Sequence, residues 1–394
     1  MIIRRGYKYF SSVFSAMLCL FLASCGGKGT SEVGNSGNQV PDSLTIMETV
    51  QPDSVSLIFF GDAMMHKRQL ERAKALGADN GTYNFDDYYT LISPIVEKAD
   101  YAVVNLEVAL GGGDDYSGYP KFSAPDSYAV ALKNAGFDLF LTANNHCLDR
   151  SHKGVRRTIH VLDSLQVDHI GTYGDDDSRA KNVPFIKELN GMKIGFLNYT
   201  YGTNGLPATD GVVVETLNLD RIKKDVAATR EAGAEFIIVL PHWGAEYVMN
   251  ESQTQRVMVD SLLQMGVDAV VGGHPHVVQP MSMVYNKKTG KDAFVAYSLG
   301  NFISDMKNDN TMGGVFVRLI LARNDKNEVI IRNADYDTYI VEKPSGAKSN
   351  YRVVPSWSID SLPESQRPNW IQHENSVKSL FEKRNVNIPR YRHQ

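Results

Sequence analysis

The chain has 394 residues, 43% of them hydrophobic and 22% charged, with a formal net charge of −4. That is the composition of a soluble globular protein, long enough for a full hydrophobic core without disulfide staples. A slightly acidic chain lacks the basic field that phosphate backbones require, which argues against nucleic acid as a partner.

The first segment, MIIRRGYKYF, supplies Arg4, Arg5 and Lys8 with no acid, and the short apolar run SVFSAMLCLFLASC follows. A charged start, an apolar stretch too short for a span of about 20 residues and a small-residue end form a secretory signal pattern. Leu22-Ala23-Ser24-Cys25 resembles a bacterial lipobox, so residues 1–24 read as a lipoprotein signal peptide and Cys25 as the lipidated residue. Cys19 would leave with the signal, and Cys147 then stands without a disulfide framework. Residues 25–54, rich in Gly, Ser, Asn and Pro, read as a flexible tether.

From there apolar strands and helical patterns alternate. VSLIFF (55–60), ADYAVVNLEV (99–108), FDLFLTANN (137–145), KIGFLNYT (193–200) and AEFIIVLPHWG (234–244) have the length and content of buried strands. VDAVVGGHPH (267–276), FVAYSLGNF (294–302) and GGVFVRLILA (313–322) continue the series. Helical periodicity marks residues 127–136, 154–166, 219–233 and 252–266, several of them stopping at Gly. Strand, helix, strand is the α/β signature, with a main domain over 55–345. NEVIIRNADYDTYIV predicts a peripheral hairpin, and 346–394 a polar C-terminal extension with one amphipathic helix candidate at 374–385. The run Asp175-Asp176-Asp177 reads as a solvated loop, and His152, His160 and His169 as surface or core histidines.

In α/β sheets ligands collect at the carboxyl ends of the strands. Here those ends carry Gly61-Asp62, Asn105-Leu106-Glu107, Asn144-Asn145-His146, Pro241-His242-Trp243, His274-Pro275-His276 and Ser298-Leu299-Gly300-Asn301. Carboxylate, amide oxygen and imidazole together suit zinc, manganese or ferrous iron. His274 and His276 alternate along an extended segment and reach one face only if it bends; Gly272, Gly273 and Pro275 are expected to supply the bend.

GDAMMHKR, NLEVAL, ANNHCLDR, LPHWGAEY, GGHPHV and SLGNFISD together resemble, in order, the motifs of the CapA (PGA_cap) proteins of bacterial poly-γ-glutamate capsule biosynthesis. These belong to the calcineurin-like metallophosphoesterase superfamily. The resemblance covers about residues 55–305 and implies a four-layer α/β/β/α sandwich with one or two divalent ions, Mn, Zn or Fe. Asp62, Glu107, Asn145, His242, His274 and His276 would be the ligands. His146 would act on the leaving group or oxyanion, and Glu107 is the alternative base. Asp149 either orients His146 or caps the following helix. Two positions depart from the superfamily pattern: Met64 stands where a ligand histidine is usual, and the bridging aspartate is missing, Glu107 being the nearest match. His66, two residues beyond Met64, either substitutes as a ligand or serves the start of a helix.

Lys121, Glu246 and Asn301 are the candidate substrate-binding residues. A solvated acid at Glu246 and a turn-capping amide at Asn301 are the plainer alternatives; Trp243 is either an aromatic wall or core. The expected function is a membrane-tethered, metal-dependent hydrolase acting on a phosphate ester or amide of an anionic envelope polymer, with poly-γ-glutamate and capsule-assembly membrane proteins as partners. The alternative is a non-catalytic polymer-binding or partner-binding module on the same fold, and a third reading is an envelope enzyme acting on polysaccharide.

Overall fold

The computed structural model describes residues 53–113 and 115–393. The signal segment, Cys25 and nearly all of the tether lie outside them. In chain order, β1 (Ser54–Ala63), β2 (Tyr101–Leu106), β3 (Leu139–Leu141) and β4 (Asp168–Ile170) alternate with α1 (Lys67–Leu76), α2 (Ser93–Val96), α3 (Asp126–Asn134) and α4 (Ser151–Leu165). Next come β5 (Thr172–Tyr173), α5 (Asp176–Asn182), β6 (Phe185–Leu189), β7 (Met192–Thr200), β8 (Val213–Val214), α6 (Leu219–Glu231), β9 (Phe236–His242) and α7 (Gln253–Gln264). The chain ends with β10 (Ala269–Val271), β11 (Met281–Asn286), β12 (Lys291–Ala296), β13 (Asn301–Ile303), β14 (Gly313–Arg323), β15 (Val329–Glu342), β16 (Arg352–Pro355) and α8 (Arg367–Arg384).

Two sheets result. One runs β16-β15-β14-β1-β2-β3-β4 with β13 against β1; the other runs β11-β12-β10-β9-β7-β6. The period-2 pattern of the strands sorts their side chains between layers. Val55, Leu57 and Phe59 of β1 pack between the sheets against Ile194, Phe196, Phe236 and Ile238, whereas Ile58 and Phe60 pack outward with Tyr128, Leu132, Val161 and Leu162 of α3 and α4. On the other side Ile237 and Val239 of β9 pack outward on Ile222 and Val226 of α6 and Val259 and Leu262 of α7. Each such side chain contributes roughly 1.5–3 kcal/mol on burial. Helix, sheet, sheet, helix is the α/β/β/α sandwich.

Three expectations need correction. The stretch 294–302 is not one strand: β12 ends in the six-stranded sheet and β13 pairs with β1 in the other, and the chain crosses between them through Gly300 at φ +75°. The hairpin beyond Asn324 is not peripheral, because β15 pairs with β14 along its length inside the larger sheet. Asp175 is no loop acid; it caps α5, its carboxylate accepting from the Ser178 N–H at 2.7 Å, where negative charge meets the helix dipole. The segment after residue 346 adds β16 to the larger sheet and lays Val377, Leu380 and Phe381 of α8 on the inter-sheet core. Among the described residues no helix is long and apolar enough to cross a membrane.

Candidate metal centre

The site begins with a bulge. β1 and β2 pair in step up to Phe60 and Val104, then Asp62 pairs with Asn105, so Gly61 is one residue extra. A Cβ on Gly61 would sit 1.8 Å from the Gly300 carbonyl oxygen, so only glycine lets β13 approach this closely. Asp62 therefore lies in register with both Asn105 and Asn301.

Four further segments bring donors to Asp62. Asn105 Nδ2 donates to Asp62 Oδ1 at 2.8 Å, and the His274 backbone N–H donates to Oδ2 at 3.1 Å. His276 Nδ1 stands 3.4 Å from the same Oδ2. Glu107 Oε1 lies 3.5 Å from His242 Nε2 and 3.9 Å from His276 Nε2, and Asn145 Oδ1 is 2.9 Å from His242 Nε2. All these side chains are buried. Their ligand atoms form the groups Glu107–His242–His274 and Asp62–Glu107–His276, and exposed Glu246 joins His274 and His276 in a third. The bend that gathers the last two histidines is at the histidines themselves: His274 has φ +97° and His276 φ +59°. Such backbone costs about 1–3 kcal/mol per residue. The glycines serve close approach instead, since a Cβ on Gly272 would meet the Tyr297 carbonyl at 2.2 Å and one on Gly273 would meet Asp62 Oδ1 at 2.8 Å.

Charge in the cluster is unbalanced. Burial, then the charge of Asp62, pushes the Glu107 carboxyl well above the ordinary range. Burial acts the same way on Asp62, yet the His276 hydrogen bond and the charges of His242 and His276 outweigh it and hold that carboxyl low. Burial lowers His242 to about 3, and burial with the neighbouring His242 lowers His274 to about 2. Burial opposes protonation of His276 as well, but the Glu107 charge and the Asp62 hydrogen bond raise it to about 9. The cation-free cluster takes up protons where positive charge is wanted. Glu107 Oε1 and His274 Nδ1 are also buried without a hydrogen-bond partner, an arrangement costing about 1–3 kcal/mol per atom. Unpartnered oxygen and nitrogen donors buried within one carboxylate-imidazole-amide set fit a divalent cation.

His146 flanks this cluster. Its Nδ1 is 2.7 Å from Asp149 Oδ2, which also accepts from the Phe122 N–H at 2.7 Å. The N-cap of α4 is Arg150, so Asp149 is not its cap. Phe122 packs edge-on to His146 with ring centroids 4.6 Å apart. Asn301 is buried; its Nδ2 donates to the Thr311 carbonyl at 2.9 Å and its Oδ1 lies 3.0 Å from His276 Nδ1. Lys121 is not in the cluster but lines a neighbouring groove of about 630 Å³ with Lys67, Lys74 and Tyr119. Trp243 is core, its Nε1–H donating to the Tyr297 carbonyl at 2.8 Å. Met64 is core as well, and His66 is the N-cap residue of α1, accepting from the Asp305 N–H at 3.2 Å; burial lowers its imidazole to about 4.

Residue reading from the sequence left Asn105, Asn144 and Tyr201 without a role. Asn144 accepts from the His146 N–H and donates to Asn105 Oδ1, and Asn105 donates to Asp62, a relay that fixes both amides and the carboxylate. Tyr201 lies over His274 with centroids 4.5 Å apart. The only signal for the two amides was their place beside Glu107 and Asn145 at strand ends.

Oxygen and nitrogen donors gathered where two helix-covered sheets meet define an α/β/β/α protein with a candidate metal centre at its strand ends. Residues 56–306 match the family model described as bacterial capsule synthesis protein PGA_cap, and the chain belongs to that family. It is 28% identical to the capsule biosynthesis protein CapA of Bacillus anthracis, over 69% of this chain and 65% of that protein. It is 27% identical to the PGA biosynthesis protein CapA of Bacillus subtilis, over 71% and 70%. The chain thus spans a little under two thirds of the length of the B. anthracis relative. Among solved structures, a putative 5'-nucleotidase from Staphylococcus aureus aligns with TM-score 0.48 and 12% identity, over 82% of this chain and 58% of that one.

Proposed function

We propose that this capsule-synthesis family member is a divalent-metal-dependent hydrolase acting on a phosphate ester or amide of an anionic envelope polymer, with poly-γ-glutamate as the first candidate. The observation that carries the reading is the pair of buried, unpartnered atoms, Glu107 Oε1 and His274 Nδ1, on two residues whose ligand atoms gather with that of His242 within 4.8 Å of one another. Glu107, Asn145, His242 and His274 would hold the ion, with Asp62 and His276 beside them, as one or two ions of manganese, zinc or iron. When bound, such an ion polarises an acyl or phosphoryl oxygen and lowers the pKa of water. The chain's own residues do the rest. His146, held by Asp149, presents Nε2 as a proton donor to a leaving group, and Tyr201 shields one side of His274.

The groove walled by Lys67, Lys74 and Lys121 supports an anionic chain as substrate, because three lysines line it against the single carboxylate of Glu71, which pairs with Lys67 at 3.7 Å. Its Tyr119 ring lies 6.4 Å from Phe122, the ring that packs on His146. Cys25 would tether the domain to a membrane through lipid, and capsule-assembly membrane proteins would be its neighbours there. A non-catalytic polymer-binding module is the second reading; Met64, buried in the core where a ligand histidine is usual, favours it.

Metal analysis of the purified full chain, with a screen of phosphomonoester, phosphodiester and γ-glutamyl substrates, tests the proposal. The expected result is bound transition metal and turnover that His146→Ala removes without removing the metal. A metal-free chain that still binds poly-γ-glutamate would establish the second reading instead.

A further inference from the structure

Asn301 is fully buried in β13, in register with Asp62, and neither end of its amide is open to a substrate. Which end is which is settled by its surroundings. Nδ2 lies 2.9 Å from the Thr311 carbonyl oxygen, an atom that can only accept, so that end is the NH2 group. The oxygen is thereby turned to His276, 3.0 Å from Nδ1. A second oxygen, Asp62 Oδ2, approaches the same ring nitrogen at 3.4 Å. Two acceptors converge on Nδ1, and a bare nitrogen there would set its lone pair against both. Nδ1 carries hydrogen. The other ring nitrogen, Nε2, points to the unpartnered Glu107 Oε1 at 3.9 Å.

We infer that Asn301 is a positioning residue for His276: its amide oxygen, anchored through Thr311, fixes the imidazole as the Nδ1–H tautomer so that Nε2 is the nitrogen offered to the cation. This rests on the metal-dependent reading above. Asn301 touches neither cation nor substrate. It acts through His276, as groups that hold the far nitrogen of ligand histidines generally do. The bulge at Gly61 and the crossing at Gly300 belong to the same device, since they bring β13 into register with Asp62.

The test uses the full chain labelled with 15N-histidine and loaded with Zn2+, a diamagnetic probe, together with Asn301→Leu and Asn301→Asp. In wild type the His276 ring is expected to show a protonated Nδ1 and a metal-shifted Nε2. Asn301→Leu removes the acceptor at similar size and is expected to weaken Zn2+ and Mn2+ binding about 10–100-fold. Asn301→Asp keeps an acceptor oxygen towards His276 but loses the donor to the Thr311 carbonyl, and is expected to bind the ions more tightly than Asn301→Leu and less tightly than wild type. A wild-type spectrum with metal on Nδ1, or hydrogen on Nε2, overturns the inference whether or not the variants fold. Wild-type affinity in a folded Asn301→Leu overturns it too. A wild-type chain that binds neither ion overturns the metal-dependent reading itself, an outcome distinct from the other two.

Discussion

Asp149 reaches back three residues to His146, and the Phe122 N–H approaches the same carboxylate oxygen. The backbone donor holds the carboxylate still, and the carboxylate in turn holds the ring. Asparagine at this position keeps an acceptor oxygen but loses the carboxylate charge beside the ring, so its effect falls on the chemistry of the ring more than on packing. Asp149→Asn is expected to lower turnover about 10–100-fold while leaving the metal content of the chain unchanged. Initial rates and metal analysis on the same preparation check this; a wild-type rate would reduce Asp149 to a structural role. The donors of the cluster were legible because each stands at the end of an apolar run, where residue type and position speak together. The amides of Asn105 and Asn144 were not, since an amide says nothing of its partners until the strands are side by side. Nor was the bend at His274 and His276. Neighbouring glycines draw attention to themselves, while a positive φ on a histidine leaves no mark in sequence.

At the scale of elements, the strand–turn that ends β10 shows how tightly sheet geometry and site are joined. A Cβ on Gly273 would lie 2.8 Å from Asp62 Oδ1 and 3.8 Å from His242 Nδ1, and its φ is not in the left-handed region. The backbone accepts alanine there, whereas Asp62, tied by Asn105 and the His274 N–H, has nowhere to move. Gly273→Ala is expected to fold and to bind Mn2+ at least about tenfold more weakly, by isothermal titration, through displacement of the ligands it touches. Unchanged affinity would mean that Asp62 is freer than its hydrogen bonds imply. Gly61→Ala sets the contrast: its Cβ meets backbone at 1.8 Å, and the expected outcome is failure to fold. The strands β1, β2, β7, β9, β10 and β14 could be read from the sequence because burial on both faces makes their apolar runs continuous. Helix α1 could not, for KRQLERAKAL buries only Gln69, Leu70 and Ala73 and shows no apolar stripe. β6 is part exposed along its length and β11 over most of its length, so neither has the signature of the buried strands.

At the scale of the whole molecule, the two large sheets meet through charge at the Lys187–Asp168 ion pair and again at the candidate metal centre. Asp62 and Glu107 come from the eight-stranded sheet, His242 and His274 from the ends of β9 and β10 in the other. A cation held by both stabilises the fold by mass action, about 2.7 kcal/mol at a hundredfold excess over Kd, or roughly 4 °C in Tm for a chain of this size. The size of that shift depends on pH in a definite direction. In the cation-free chain His242 and His274, lowered to about 3 and about 2, stay neutral while their unfolded counterparts protonate near about 6.5. The unfolded state then binds more protons, so acidification below about 6.5 destabilises. His276, raised to about 9, works oppositely: its contribution is complete below about 6.5 and is lost as pH rises towards 9, and Glu107 changes stability in the same sense. The chelated protein is therefore expected to have its highest Tm near pH 6.5. The cation must displace the protons on His276 and Glu107, so its affinity rises with pH and the loaded protein escapes the alkaline loss. Thermal melts from pH 6 to 8, with excess Mn2+ or with chelator, are expected to show a gap in Tm that widens steadily with pH. A gap that is constant or narrows would mean that the ion binds away from His276 and Glu107, and the two sheets would then meet at this cluster without a cation joining them.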